Sequence, residues 1–273
     1  MTILDSFRVT DKVAIVTGAG HGIGRAIAVA LAEAGADVAC AARTQKDIDE
    51  TAAQVSAAGR TGAAVQCDVL ETAQLENLVK ATLERFGRID ILVNNAGGMV
   101  PRPSLALSER AFEKIVRFNL TAPFLLTRLV VPHMVKIAGS GAIVNISSGA
   151  SQQAVGGLMP YGAAKAGLDQ MTHMLGAEFA PEVRVNGIIV GQIDTPGASS
   201  VITDDLKKQA AKNIPMGRMG RSSDIAACAL FLASPAASWI TGRTIAVNGG
   251  ADGPPLAFPI PSLREQVLGV QTR

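Results

Sequence analysis

Tyr161 is the only tyrosine in the chain, and it stands four residues before Lys165 in the stretch Leu158 to Gly167. Pro160 suits the first turn of a helix, where a missing N–H costs nothing. On a helix, side chains four apart share a face, so the phenol and the ammonium are expected side by side. A phenol titrates near ~10 and is a poor base at neutral pH; bringing it to about 7 needs roughly 4 kcal/mol, at about 1.36 per unit. A cation about 4 Å away, at an effective dielectric of about 20, supplies roughly that amount. The pair is therefore a candidate acid/base device in which the lysine tunes the tyrosine. Alone it is a weak signal, because one such spacing also arises by chance.

A second chemistry-bearing stretch lies near the start. Val13 to Thr17 is a short, β-branched apolar run of the kind that forms a buried parallel strand. It runs into Gly18, Gly20, Gly22 and Gly24, followed by an alanine-rich helix expected over Arg25 to Ala34 and capped by Gly35. Glycines let a backbone approach a pyrophosphate closely, and a helix N-terminus offers free N–H groups and a positive dipole end. Strand, glycine turn and helix in that order make a dinucleotide site the expectation.

The elements that position these groups alternate along the chain. Strands are expected at Asp37–Ala42, Gly62–Cys67, Ile89–Val93, Ala142–Ile146, Val183–Ile189 and Thr244–Val247. Helices are expected at Lys46–Ala58, Thr72–Phe86, in one or two segments over Glu109–Val135, around Tyr161, and at Ser222–Ala233. Pro123 and Pro132 mark expected kinks or joints in the long helical stretch. This alternation predicts an α/β fold, a doubly wound, seven-stranded parallel sheet flanked by helices on both faces, Rossmann-like. No composition shift divides it, so residues 1–250 are expected to form one dinucleotide-binding catalytic domain. A small substrate loop falls at about 192–215, and 251–273 forms a proline-rich extension without a further element of its own.

In such sheets ligands bind outside the carboxyl ends of the strands. Polar residues fall there strand after strand: the glycine turn, then Arg43, Asp68, Asn94 with Asn95, Ser147 with Ser148, and Gln192, Asp194 and Thr195. Each taken singly reads as a turn or cap residue; the succession at one edge does not.

Composition bounds the rest. The chain has 273 residues, 48% of them hydrophobic and 18% charged, with a formal net charge of +2. It is long enough for a substantial core, and so balanced a charge gives no footprint for nucleic acid or a membrane surface. Cys40, Cys67 and Cys228 form neither a disulfide framework nor a CxxC site, which points to a reducing compartment. No signal peptide is read at the N-terminus and no run of 18 apolar residues occurs, so a cytoplasmic location is expected. His21, His133 and His173 are scattered, and no metal site is expected.

Over Asp11 to Gly250 the sequence resembles the short-chain dehydrogenase/reductase family. The resemblance is carried by Thr17-Gly18-x3-Gly22-x-Gly24, Asn94-Asn95-Ala96-Gly97, Asn119, Ser148 and Tyr161-x3-Lys165, with 13 residues from Ser148 to Tyr161. It implies an NAD(P)-dependent oxidoreductase acting on CH–OH and C=O groups. In that reading Tyr161 is the general acid in reduction and base in oxidation. Lys165 lowers its pKa and binds the nicotinamide ribose, and Ser148 holds the substrate carbonyl oxygen. Asn119 sits at a helix irregularity and supports a water-linked proton relay. Gly18, His21, Gly22, Ile23 and Gly24 hold the pyrophosphate, Asp68 and Val69 the adenine. Asn95, with Ala96 and Gly97, holds the adenosine-side ribose and the sheet edge, and Ile193 and Thr195 contact the nicotinamide amide. Relatives are commonly homotetramers, with Phe118–Val135 and Pro254–Pro261 as candidate interface pieces here.

The choice of dinucleotide turns on the end of the second strand, where an NAD site of this kind wants an acid for the ribose 2′-OH. Here that end reads Ala42-Arg43, and a guanidinium suits a 2′-phosphate. NADP(H) is expected, with NAD(H) possible. Three positions depart from the family pattern: His21 where arginine is frequent, Val190 where proline is usual before Gly191, and Asn248 for a common aspartate. The substrate walls are expected from Gly98–Leu105, Gly149–Met159 and Gln192–Pro215, with apolar Met99, Val155, Leu158, Met159, Val201 and Ile202. They suit a neutral hydrophobic ketone or secondary alcohol, with alicyclic or steroid-like molecules among the candidates. A 3-oxoacyl carrier-protein or CoA thioester is the alternative substrate, and a silent dinucleotide sensor the alternative from another class.

Overall fold

The computed structural model describes residues 2–195, 203–254, 256, 258 and 260–268. β1 (Val13–Thr17) is buried at every position, as a run without apolar/polar alternation requires of a central parallel strand. It lies between β2 (Asp37–Ala42) and β4 (Ile91–Asn94), with Val16 opposite Cys40 on one side and Val93 on the other. With β3 (Gly62–Gln66), β5 (Gly141–Ile146), β6 (Val183–Val190) and β9 (Arg243–Val247) they form one seven-stranded sheet, all parallel, in the order β3-β2-β1-β4-β5-β6-β9. The order reverses between β1 and β4, which opens a crevice at the carboxyl ends of those strands.

Side chains alternate across the sheet and build two cores. Ala14 and Val16 pack with helix α1 (Gly22–Glu33) and the helix Ser222–Ala233; Ile15 and Leu92 pack with α3 (Thr72–Phe86) and α5 (Ala122–His133). α2 (Gln45–Ala57) lies against β2 and β3, and α6 (Met159–Glu178) against β6. The second and third strands and the helices α3 and Ser222–Ala233 fall within a residue of their expected bounds.

Several expectations are corrected. Helix α1 begins at Gly22, not Arg25: the last two glycines of the turn fall within its first turn, Gly22 entering it at φ +57°. β4 begins at Ile91, not Ile89; Asp90 is buried and its carboxylate accepts from Lys12, Arg88 and the Val13 N–H. Pro123 and Pro132, expected at kinks or joints, stand next to changes of helical register and do not end the long helix. It runs from α4 (Glu109–Val116) through a π turn at Arg117–Thr121 into α5, and on into a second π turn at Met134–Ala138. Each proline lies beside a π turn, where the hydrogen-bond register is already shifted and a missing N–H costs less. By length and composition this run is apolar enough to cross a membrane, yet Ala122, Leu126, Val130 and Met134 on it are core residues. Two features went unforeseen: α7 (Asp204–Lys212), and the short two-stranded sheet of β7 (Ile193–Asp194) and β8 (Gly220–Arg221). The C-terminal extension, expected to carry no element, holds a six-residue helix at Leu263–Leu268.

α6 is pinned along its length where side chains are missing. A Cβ on Gly162 would lie 2.7 Å from the Ala150 carbonyl oxygen, and one on Gly167 2.9 Å from Leu120 Cδ2. Gly176 lies against the backbone of Gly242, which leaves no room for a Cβ.

Candidate active site

The glycine turn is braced from two sides. Gly18 takes φ +64°, and a Cβ on it would sit 2.7 Å from Asn95 Nδ2; a Cβ on Gly24 would overlap the Gly18 carbonyl. Asn95 Nδ2 donates to the Thr17 carbonyl at 2.8 Å and the Gly18 carbonyl at 3.2 Å, while the N–H groups of Asn95 and Ala96 donate to Thr17 Oγ1. Asn95 thus spends its amide hydrogens on the turn itself, at the sheet edge. From the other side Arg25 Nη2 donates to the carbonyls of Gly20 and Asp47, and Thr51 Oγ1 donates to the Ala19 carbonyl. Sequence reading gave no role to Arg25 or Thr51 and named Thr17 only as the first residue of the motif; Arg25 adjoins the glycines, but Thr51 lies on α2, where no local spacing marks it. The turn opens directly onto the N-terminus of α1, so it fits a pyrophosphate on both geometry and dipole.

Around this turn a cleft of about 590 Å³ follows the carboxyl edge of the sheet. It is lined by His21, Ile23, Arg43, Asp68, Val69, Ala96, Gly97, Ser148, Tyr161, Lys165, Ile193 and Thr195, together with the expected glycines and Asn95. Thr195 reaches back over the turn, its methyl 3.5 Å from where a Cβ on Gly22 would be. Arg43 is exposed at the rim. Asp47, not singled out from sequence, also lines this end, its Cβ 3.0 Å from the position of a Cβ on Gly20. Asn94 does not reach the cleft: it is buried, donating to Thr127 and Asn145 in a polar chain that continues to Thr172.

The reactive groups converge at the ends of β4 and β5. Lys165 is 3% exposed and donates from Nζ to the Ile146 carbonyl at 2.7 Å, with Nζ 5.7 Å from the centroid of the Tyr161 ring. Burial pushes its pKa down to about 8, opposed by the carboxylate of Asp169 one turn on. Burial also raises the Tyr161 phenol, opposed by a hydrogen bond from Ser148. This corrects the simple picture of a lysine drawing the phenol toward 7: the ammonium is turned to the Ile146 carbonyl, and the desolvation of the phenol dominates. The protein by itself therefore keeps Tyr161 protonated at neutral pH, the form an acid needs. Ser148 caps a short 3-10 turn by accepting from the Ala150 N–H at 3.2 Å, which fixes its hydroxyl beside Tyr161. Ser147 is buried, its hydroxyl toward the Lys165 carbonyl.

Asn119 lies behind the cleft wall, wholly buried within the π turn. Its Oδ1 accepts from the Gly98 N–H at 2.8 Å, and its Nδ2 donates to the carbonyls of Gly98 and Ile115. It ties the loop after β4 to the long helix, next to Lys165.

The apolar end of the cleft, where the substrate was expected, is lined by Met99, Val100, Pro101, Val155 and Leu158, whereas Met159 is 48% exposed. Val201 and Ile202 lie outside the described residues. Pro254, Leu256 and Phe258 of the C-terminal extension also line it. Within Pro254–Pro261, the stretch expected at an interface between subunits, Leu256 is buried against Ala210 and Met219, whereas farther on Leu263, Val267 and Leu268 are exposed.

Residues 18–252 match the family model described as enoyl-(acyl carrier protein) reductase. An uncharacterized oxidoreductase of Mycobacterium tuberculosis is 42% identical over 262 residues, 96% of this chain and all of that protein. The structure of 7α-hydroxysteroid dehydrogenase complexed with NADH and 7-oxo glycochenodeoxycholic acid superposes with a TM-score of 0.88 at 35% identity, covering 92% of this chain and 98% of that one. An actinorhodin polyketide ketoreductase with NADPH gives 0.84 at 33% identity, covering 88% and 97%.

Proposed function

Since the chain belongs to the short-chain dehydrogenase/reductase family, and is an oxidoreductase of CH–OH and C=O groups, we propose that it interconverts a neutral hydrophobic ketone and its secondary alcohol using NADP(H). The observation that carries this reading is one cleft in which Tyr161 and Ser148 stand between a braced glycine turn and an apolar end. A dinucleotide held along this cleft would supply the hydride to the substrate carbon, or take it up in the reverse direction.

The chain's own residues do the rest. The glycine turn and the first N–H groups of α1 bind the pyrophosphate. Ser148 donates to the carbonyl oxygen as charge grows on it. Tyr161 passes its proton to that oxygen, or takes it back in oxidation. Lys165 holds positive charge beside the phenol and donates to the nicotinamide ribose, and Asn119 keeps the neighbouring loop in register. NADP(H) is favoured over NAD(H) by Arg43 at the rim and by the absence of an acid at Ala42.

A screen of ketones and alcohols followed at the NADPH absorbance, run with both dinucleotides, tests the reading. Turnover of an alicyclic ketone with NADPH supports it; no turnover with either dinucleotide defeats it. The description of the matched family model favours a second reading, a carrier-bound acyl substrate. A strong preference for a carrier-bound over a free 3-oxoacyl thioester would establish that one. We also propose a homotetramer paired through the long helices. Phe112, Phe124 and Met174 support this, standing 37%, 43% and 62% exposed on α4, α5 and α6. Three free thiols agree with a reducing, cytoplasmic setting.

A further inference from the structure

We infer that Pro254, Leu256 and Phe258, described residues of the C-terminal extension, build the outer wall of the substrate end of the cleft, and that Phe258 sets the size of neutral alicyclic ketone admitted. The inference rests on the oxidoreductase reading above. Its root is fixed to two sides of the site: Gln153 Nε2 and Asn248 Nδ2 both donate to the Ala251 carbonyl, at 3.0 and 2.9 Å. Farther along it has two anchors. Leu256 is 5% exposed, packed on Ala210 of α7 and on Met219. Ile260 packs against the opposite wall: a Cβ on Gly157, where φ is +79°, would lie 2.7 Å from Ile260 Cδ1 and 3.3 Å from Pro101 Cβ.

Phe258 lies between these anchors in sequence and lines the cleft with Pro254 and Leu256. Gly157 precedes Leu158, which also lines the cleft and opens the helix that carries Tyr161. The wall therefore stands at the reacting end. Its described lining side chains are uncharged and apolar, so a charged or strongly hydrated substrate would lose solvation there without recompense. An aromatic ring offers a flat face to a fused alicyclic skeleton.

The test compares the full chain with Phe258→Ala and with a chain ending at Gly253, using cyclohexanone, 2-decalone and a tetracyclic oxosteroid with NADPH. In Phe258→Ala, kcat/KM for 2-decalone should fall about ten- to hundredfold, mostly through KM, as expected for one lost aromatic contact. The steroid should gain relative to 2-decalone, and NADPH binding should stay within about twofold. An unchanged ranking of the three ketones in both variants overturns the assignment of Phe258. Hydrogen exchange gives a readout independent of turnover: in the shortened chain, 98–101, 155–158 and 205–212 should exchange faster, and the glycine turn should not. Equal exchange in those segments overturns the wall. Failure of the full chain to reduce any ketone would instead strike the oxidoreductase reading, with the exchange data still deciding where the extension lies.

Discussion

Asn119 Oδ1 and Lys165 Nζ converge on Gly97: a Cβ there would lie 2.7 Å from the first and 3.1 Å from the second. One residue is fixed by a π turn in the long helix, the other by the face of α6, and the loop after β4 passes between them with no side chain. Gly97→Ala should therefore displace an amide or an ammonium, although an alanine is otherwise the mildest of changes. We expect kcat to fall by at least about tenfold, a stability cost of about 1–3 kcal/mol as for overpacking, and little change in NADPH affinity. Steady-state kinetics beside a fluorescence titration of NADPH would show whether the effect is confined to turnover.

Tyr161→Phe keeps the ring and removes the proton. Turnover should drop by about 10²- to 10⁴-fold, the range of general acid–base catalysis, while NADPH still binds. A variant that keeps wild-type turnover would mean that the proton comes from elsewhere.

Lys165 links catalysis to stability through pH. Its folded pKa, about 8, lies below the ordinary 10.5. The folded state thus binds fewer protons than the unfolded one between those values, and stability from this group rises as pH rises through that window. Below about 8 the buried ammonium carries its full cost. Lys165→Met should lose turnover, and its melting temperature relative to wild type should fall as pH goes from about 8 toward 10.5. Parallel melting curves for the two proteins over that window would show that Lys165 is not desolvated as described.

Arg43→Ala tests the dinucleotide choice. KM for NADPH should rise about tenfold or more, consistent with losing a charge-assisted contact, while KM for NADH stays within about twofold. Equal effects on both, or none, would remove Arg43 from the 2′-phosphate.

Much of this was legible from residues alone. A fully apolar run such as Val13–Thr17 has no exposed face, and only a central parallel strand gives it a home. The glycines, Ser148, Tyr161 and Lys165 could be placed at one edge because their spacing is local to single elements. What escaped was set by contacts between distant segments. Asp90 shortens β4 through partners at Lys12 and Arg88. Asn94 and Asn95 are neighbours with equal chemistry, yet one is sealed in a buried chain and the other braces the glycine turn. The extension held no periodic pattern to mark it, and its place depends on Gly157, about a hundred residues before Ile260, and on Ala210, about fifty before Leu256, contacts that no spacing rule encodes. The direction of the Tyr161 shift was likewise a question of burial, which a helical offset does not report.

The glycine contacts along α6 act as bearings on a lever. A helix of 20 residues is about 30 Å long, so a tilt of one degree at the Gly176 end carries the Tyr161 end by about half an ångström. That is about the whole positional tolerance of a functional site. Gly176 against Gly242, far from any substrate, thereby sets the aim of the phenol.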